Sequence, residues 1–177
     1  MAEIILGIDP GSRITGYGVI KAQGSILTYL GSGCINVGNG VLYKRLQSIF
    51  TAVSAIVEQF SPDVLAIEET FLSKNVQSTV KLSEARAAAM VAASNSGLEV
   101  FEYTPRQIKQ AVVGYGAAQK QQVQYMVKHI LNLSGTPQSD AADALACAIC
   151  HGYTSKITKA MQASVPVGTF GHGRYQN

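Results

Sequence analysis

The segment Ile4-Ile5-Leu6-Gly7-Ile8-Asp9-Pro10-Gly11 decides how this chain is read. A short apolar run closed by Asp-Pro-Gly reads as a buried strand that stops at a turn. Working outward, residues 15–21 and 26–37 read as two more strands, with Gln23-Gly24 between them. Short turns make the three an antiparallel meander.

The period then changes. Leu42, Leu46, Ile49, Phe50, Val53, Ile56, Val57 and Phe60 fall on one helical stripe, which Ser61-Pro62 ends. Residues 63–69 form a short apolar strand ending in acids. Residues 78–96 are Ala-rich and helical up to Gly97, and residues 99–103 form a fifth strand. Pro105 begins a short helix that runs into Gly114-Tyr115-Gly116. Val123, Met126, Val127, Ile130 and Leu131 mark another helix. Residues 134–138 are a loop, and 140 to about 153 a last Ala-rich helix. Three antiparallel strands followed by two that return through crossover helices predict an α/β fold with a mixed five-stranded sheet. After about Ser155 the apolar periodicity fades, and Gly168, Gly171 and Gly173 follow. Residues 1–155 are therefore expected to form one domain and 156–177 a flexible tail.

A chain of 177 residues, 47% hydrophobic and 14% charged, suits a single globular core and excludes a disordered chain. No signal peptide and no membrane-length apolar run is visible, and three cysteines are read as reduced thiols, so a cytoplasmic protein is expected. The net charge of +3 is unevenly spread. Residues 1–69 hold four Lys/Arg against six Asp/Glu, whereas 70–130 hold seven against three. A basic face beside an acidic pocket is what an enzyme that cuts a polyanion needs.

Four carboxylates stand out. Asp9 ends the first strand, Glu68 ends the fourth, and Asp140 and Asp143 open the last helix three residues apart, on one face. If the first and fourth strands are parallel neighbours, both C-terminal ends lie where open α/β sheets bind ligands. Converging acids repel unless cations neutralise them, and oxygen-only ligands select Mg²⁺ or Mn²⁺. Two such ions clamp the attacking and leaving oxygens of a phosphoryl displacement. Each acid has a plainer reading: Asp140 as a helix cap with Asp143 favouring the helix N-terminus, and Asp9-Pro10-Gly11 as a turn. Glu68 and Glu69 point to opposite faces, and periodicity does not choose between them.

Four motifs carry a resemblance. They are Gly7-Ile8-Asp9-Pro10-Gly11-Ser12-Arg13 with Thr15-Gly16-Tyr17-Gly18, then Ala66-Ile67-Glu68-Glu69-Thr70-Phe71 with Lys74-Asn75. Next come Arg106-Gln107-Ile108-Lys109 with Val112-Val113-Gly114-Tyr115-Gly116 and Lys120, and last Asp140-Ala141-Ala142-Asp143-Ala144-Leu145-Ala146. Over about residues 3–153 the chain resembles the RuvC family of Holliday junction resolvases. The resemblance implies a ribonuclease-H-like fold and a homodimer that resolves four-way DNA junctions by paired symmetric nicks during recombination and repair. It implies that Asp9, Glu68, Asp140 and Asp143 are catalytic and hold two Mg²⁺ ions per subunit, with Mn²⁺ substituting, and so it selects Glu68 over Glu69. It places Lys109 and Lys120 near the scissile phosphate and Phe71 on the junction-binding face. It also implies a short T-containing cutting site and cooperation with the RuvA–RuvB branch-migration machinery. Chemically, a lysine serves phosphate as a point charge, and an exposed Phe stacks on an unpaired base. Arg13, Lys74, Lys81, Arg86 and Arg106 are further candidates for backbone contacts. The Ala-rich helix of residues 78–96 is the candidate dimer interface, although its small residues suit burial on the sheet equally well.

Three other functions are weighed. An ATP-using enzyme of the actin and sugar-kinase type needs a second domain, for which 177 residues leave no room. A junction-binding module without catalysis predicts a missing acid, and all four are present. A ribonuclease H or YqgF-like protein lacks the reason for Phe71 and Lys74-Asn75 beside Lys109 and Lys120. Cys147-Ala148-Ile149-Cys150-His151 matches a haem-attachment pattern, but it continues an Ala-rich helix with no export signal, so buried thiols are expected.

Overall fold

The computed structural model describes residues 2–70 and 76–164. Five strands, β1 (Ala2–Asp9), β2 (Ile14–Gln23), β3 (Ile26–Asn36), β4 (Val64–Glu68) and β5 (Glu99–Tyr103), form one sheet in the order β3-β2-β1-β4-β5. The β3-β2-β1 half is antiparallel and the β1-β4-β5 half parallel. The connections are α1 (Leu42–Phe60), α2 (Val76–Asn95), α3 (Pro105–Val113), α4 (Lys120–Ile130) and α5 (Ser139–Ser164). The fold is the expected one, with most element ends moved by a residue or two.

The pleat sorts the core into two layers. Leu6, Ile8, Val19, Leu65 and Ile67 face α1 and α2. Ile5, Ile20, Val64 and Ala66 face α3, α4 and α5. Because β1 and β4 are covered on both faces, their runs read as continuously apolar.

α5 lies between the sheet and the α3–α4 pair, and every residue from Ala141 to Cys150 except Asp143 is buried. A helix buried all round carries no amphipathic stripe. Its close seat depends on glycine. A Cβ at Gly7 would stand 2.9 Å from the Ala148 Cβ, and one at Gly16 would overlap the Asp140 carbonyl.

Two readings change. α5 runs on to Ser164 instead of ending near Tyr153. Lys156 to Ala163 contains no Gly or Pro and several strong helix formers, so the helix needs no apolar period to continue. The alanines of α2 are spent inside the subunit: Ala85, Ala89, Ala92 and Ala93 are buried against α1 and the sheet. Only Val76, Val80 and Val91 face outward from that helix as exposed large apolar residues. Cys147 and Cys150 are buried as expected, and His151 with them.

Candidate active site

Strand parity settles which glutamate faces α5. Val64 and Ala66 pack on that side and Leu65 and Ile67 on the other, so Glu68 follows the first pair, while Glu69 lies past the end of β4. In β1, Ile5 and Gly7 lie under α5, so Asp9 takes the same face. Ile8 pairs with Ile67, which sets Asp9 and Glu68 side by side at the C-terminal ends of two parallel strands. The turn after Asp9 is tied by the buried Thr15, whose hydroxyl donates to the Gly11 carbonyl at 3.0 Å.

α5 adds the other two acids. It starts at Ser139, so Asp140 stands inside the first turn instead of at the cap position, and Asp143 follows one turn on. Their charges converge on Asp9. Burial, followed by the charges of Glu68, Asp143 and Asp140, pushes Asp9 up to about 8, with Lys120 opposing. Burial and then Asp143 raise Glu68, while Lys109 and Lys120 lower it. Cys34, opposite Gly16 on β3, borders this group; burial raises its thiol, and an Ala141 backbone hydrogen bond opposes the rise.

Lys120 Nζ lies 2.6 Å from Asp143 Oδ2, and this hydrogen bond is the largest cause of the lysine's raised pKa. Lys109, half-buried on α3, lines a cleft of about 210 Å³ with Glu68, Lys120 and Asp143. An adjoining cleft of about 220 Å³ is lined by Asp9, Pro10, the same Glu68 and Glu69. A larger cleft, about 730 Å³, lies between the β3 edge and residues 131–137, but no charged side chain lines it.

Among the described residues, no three His, Cys, Asp or Glu side chains close on one ion point as they stand. The charges of the other acids bear on Asp9, and Asp143 is held by Lys120. Side-chain rotation would have to bring them onto a shared cation. The donor set suits that outcome, since hard carboxylate oxygens crowded in a partly buried site favour a hard divalent ion.

The remaining candidates divide. Arg13 and Arg106 are exposed, on the β1–β2 loop and the first turn of α3. Arg86 is committed inward: its Nε donates to the Glu68 carbonyl at 3.1 Å and its other end pairs with Glu102. It braces the end of β4, which corrects its reading as a DNA contact. Phe71 and Lys74 lie outside the described residues. Sequence reading missed Arg45, whose side chain reaches the Ser12 carbonyl from α1. Its signal was a cation within the first turn of an otherwise apolar stripe.

Comparison with known proteins agrees with this arrangement. Residues 5–151 match the family described as crossover junction endodeoxyribonuclease RuvC. The protein of that description from Pseudoalteromonas atlantica is 59% identical over 162 residues, 92% of this chain and 94% of the relative. RuvC from Thermus thermophilus, solved in complex with Holliday junction substrate, superposes with a TM-score of 0.83 at 32% identity, covering 88% of this chain and 96% of that one. The yeast mitochondrial Holliday junction resolvase Ydc2 has a TM-score of 0.64 at 11% identity over 90% and 83%, a likeness of fold alone. The ribonuclease-H-like sheet, the four motifs and the match over most of the chain lead to one conclusion: the chain belongs to the RuvC family of crossover junction endodeoxyribonucleases.

Proposed function

We propose that this protein is a metal-dependent endonuclease that resolves Holliday junctions, with Asp9, Glu68, Asp140 and Asp143 as its catalytic carboxylates. The observation that carries the reading is the gathering of these acids from two adjacent parallel strand ends and one helix, beside Lys109 and Lys120. The reaction hydrolyses one phosphodiester: water adds to phosphorus, the 3′-oxygen leaves with its bonding electrons, and a 5′-phosphate remains.

Asp9 and Glu68, fixed by the sheet, and Asp140 and Asp143, fixed by α5, would together hold two Mg²⁺ ions, for which Mn²⁺ substitutes. Bound there, the metal supplies an activated water and stabilisation of the leaving oxygen. Lys109 and Lys120 draw the scissile phosphate in as point charges. Lys120 also offsets the charge of Asp143, which it meets at 2.6 Å. Phe71, Lys74, Arg13 and Arg106 supply junction contacts. The working form is a homodimer, since two symmetric nicks need two related sites, and it acts with RuvA–RuvB in the cytoplasm. No helix among the described residues is long and apolar enough to cross a membrane. Residues 1–155 suffice for the nuclease.

A labelled mobile four-way junction with Mg²⁺, mixed with the wild type and with Asp9→Asn, tests this. Paired symmetric nicks by the wild type are expected, with none by the variant and junction binding kept by both. Equal cutting by both, or none by either, removes the catalytic assignment.

A further inference from the structure

A second charged cleft lies on the other side of the Asp9–Pro10 turn. Ser12, Arg13, Asn39, Arg45, Ser78 and Lys81 line about 470 Å³. They come from the β1–β2 loop, the segment before α1, the first turn of α1, and α2. Three of the six are cations and none is acidic. Among the described residues none of the three cations joins an ion pair, whereas Arg86 and Lys120 do. Like charges sharing one wall are unfavourable without an anion between them.

Arg45 makes the case specific. Its guanidinium is anchored through one end on the Ser12 carbonyl, while its Nε is sealed from solvent with no hydrogen-bond partner. A buried donor of this kind is costly to leave unmade. α1 adds to the field: no side chain caps its N-terminus and its first turn holds no acid. That end of a helix favours negative charge. The loop is held in place, with the Val37 N–H donating to the Arg13 carbonyl at 3.0 Å. Hydroxyl, amide and guanidinium donors around one cleft match the oxygens of a phosphodiester.

We infer that this cleft is a separate phosphate grip that holds the backbone of a junction arm away from the cut, with Arg45 as its anchor. The inference rests on the junction-cleaving reading above. Arg13 is four residues from Asp9, so the two backbones are at most ~14 Å apart. Allowing for the reach of the side chains at both ends, the gripped phosphate lies within about one turn of duplex, about ten base pairs, of the scissile one. The grip thus sets how an arm is aimed at the carboxylates and adds no chemistry of its own.

The test measures junction affinity by fluorescence anisotropy in EDTA, with one phosphate at a time replaced by an uncharged methylphosphonate on either strand within about one turn of the cut. For the wild type, one position is expected to weaken binding ~tenfold, the loss of one charge-assisted contact. The same replacement should cost nothing further in Arg45→Gln or Lys81→Gln. Each of these variants should also flatten the salt dependence by about 0.9 in log–log slope. Lys44→Gln, which removes an equal charge one residue away and outside the cleft, should still respond to the methylphosphonate. If Arg45→Gln fails to fold for want of its Ser12 contact, Lys81→Gln carries the test. A methylphosphonate response that persists in the cleft variants, or vanishes equally in Lys44→Gln, overturns the grip. A wild type that binds no junction fails the parent reading before any variant is compared.

Discussion

At Asp9, burial and three neighbouring carboxylates act in the same direction. The consequence for stability has a definite sign. Between its ordinary value of 3.8 and about 8, the unfolded chain has released this proton and the folded one keeps it. Stability therefore falls as pH rises through that window, and the loss is complete above about 8. In EDTA, Asp9→Asn is expected to melt higher than the wild type at pH 8, by ~2–4 °C for each kcal/mol of relieved repulsion, with the gap closing towards pH 4. Thermal unfolding followed across that range checks it; a gap that widens on acidification contradicts the cluster. The end of β4 makes a second prediction at this scale. Glu68→Gln should abolish junction cutting, while Glu69→Gln, past the end of β4 and outside the cleft that Glu68 shares with Lys109, Lys120 and Asp143, should retain it. A gel assay of nicked products at fixed Mg²⁺ decides between them.

Among the elements, α5 positions half of the site and is itself positioned by strand glycines. Gly16→Ala forces a methyl into the Asp140 carbonyl. The backbone there must shift, so a loss of about 1–3 kcal/mol in stability is expected, as for other overpacked sites. Cutting should fall by more than junction affinity does, because the displaced group is a carboxylate and the cationic surfaces are untouched. Chemical denaturation paired with single-turnover cleavage measures both. α3, which carries Lys109, starts on a capping box: the Thr104 hydroxyl accepts from the Gln107 N–H at 3.1 Å, and Gln107 Oε1 accepts from the Thr104 N–H at 2.8 Å. Thr104→Ala should cost about 1 kcal/mol, read as a lowered melting temperature.

For the whole molecule, the alanine stripe of α2 is already buried within one subunit, so any interface using that helix must use its outer side. The exposed Val76, Val80 and Val91 are the apolar residues available there. Sedimentation at micromolar concentration should show a dimer, and Val80→Asp should shift it towards monomer if this face joins the two copies. A dimer unaffected by that change moves the interface elsewhere. Two subunits would give the paired nicks their symmetry without any change inside the subunit.

Much of this protein is set by its sequence alone. The apolar runs of β1 and β4, the stripe of α1 and the turn residues between them specify the element order and the mixed sheet, because local periodicity reports burial directly. The motifs around Asp9, Glu68, Asp140 and Asp143 marked the candidate acids. What they left open was long-range. Periodicity did not separate Glu68 from Glu69 and the motif resemblance did; the structure adds that Glu68 shares a cleft with Asp143, more than seventy positions away. The tertiary structure alone assigned Arg86 to bracing β4, spent the α2 alanines inside the core, and joined Ser12, Asn39, Arg45 and Lys81 into one cleft. Such groupings are made by the closing of the sheet and the seating of its helices, and no local pattern encodes them.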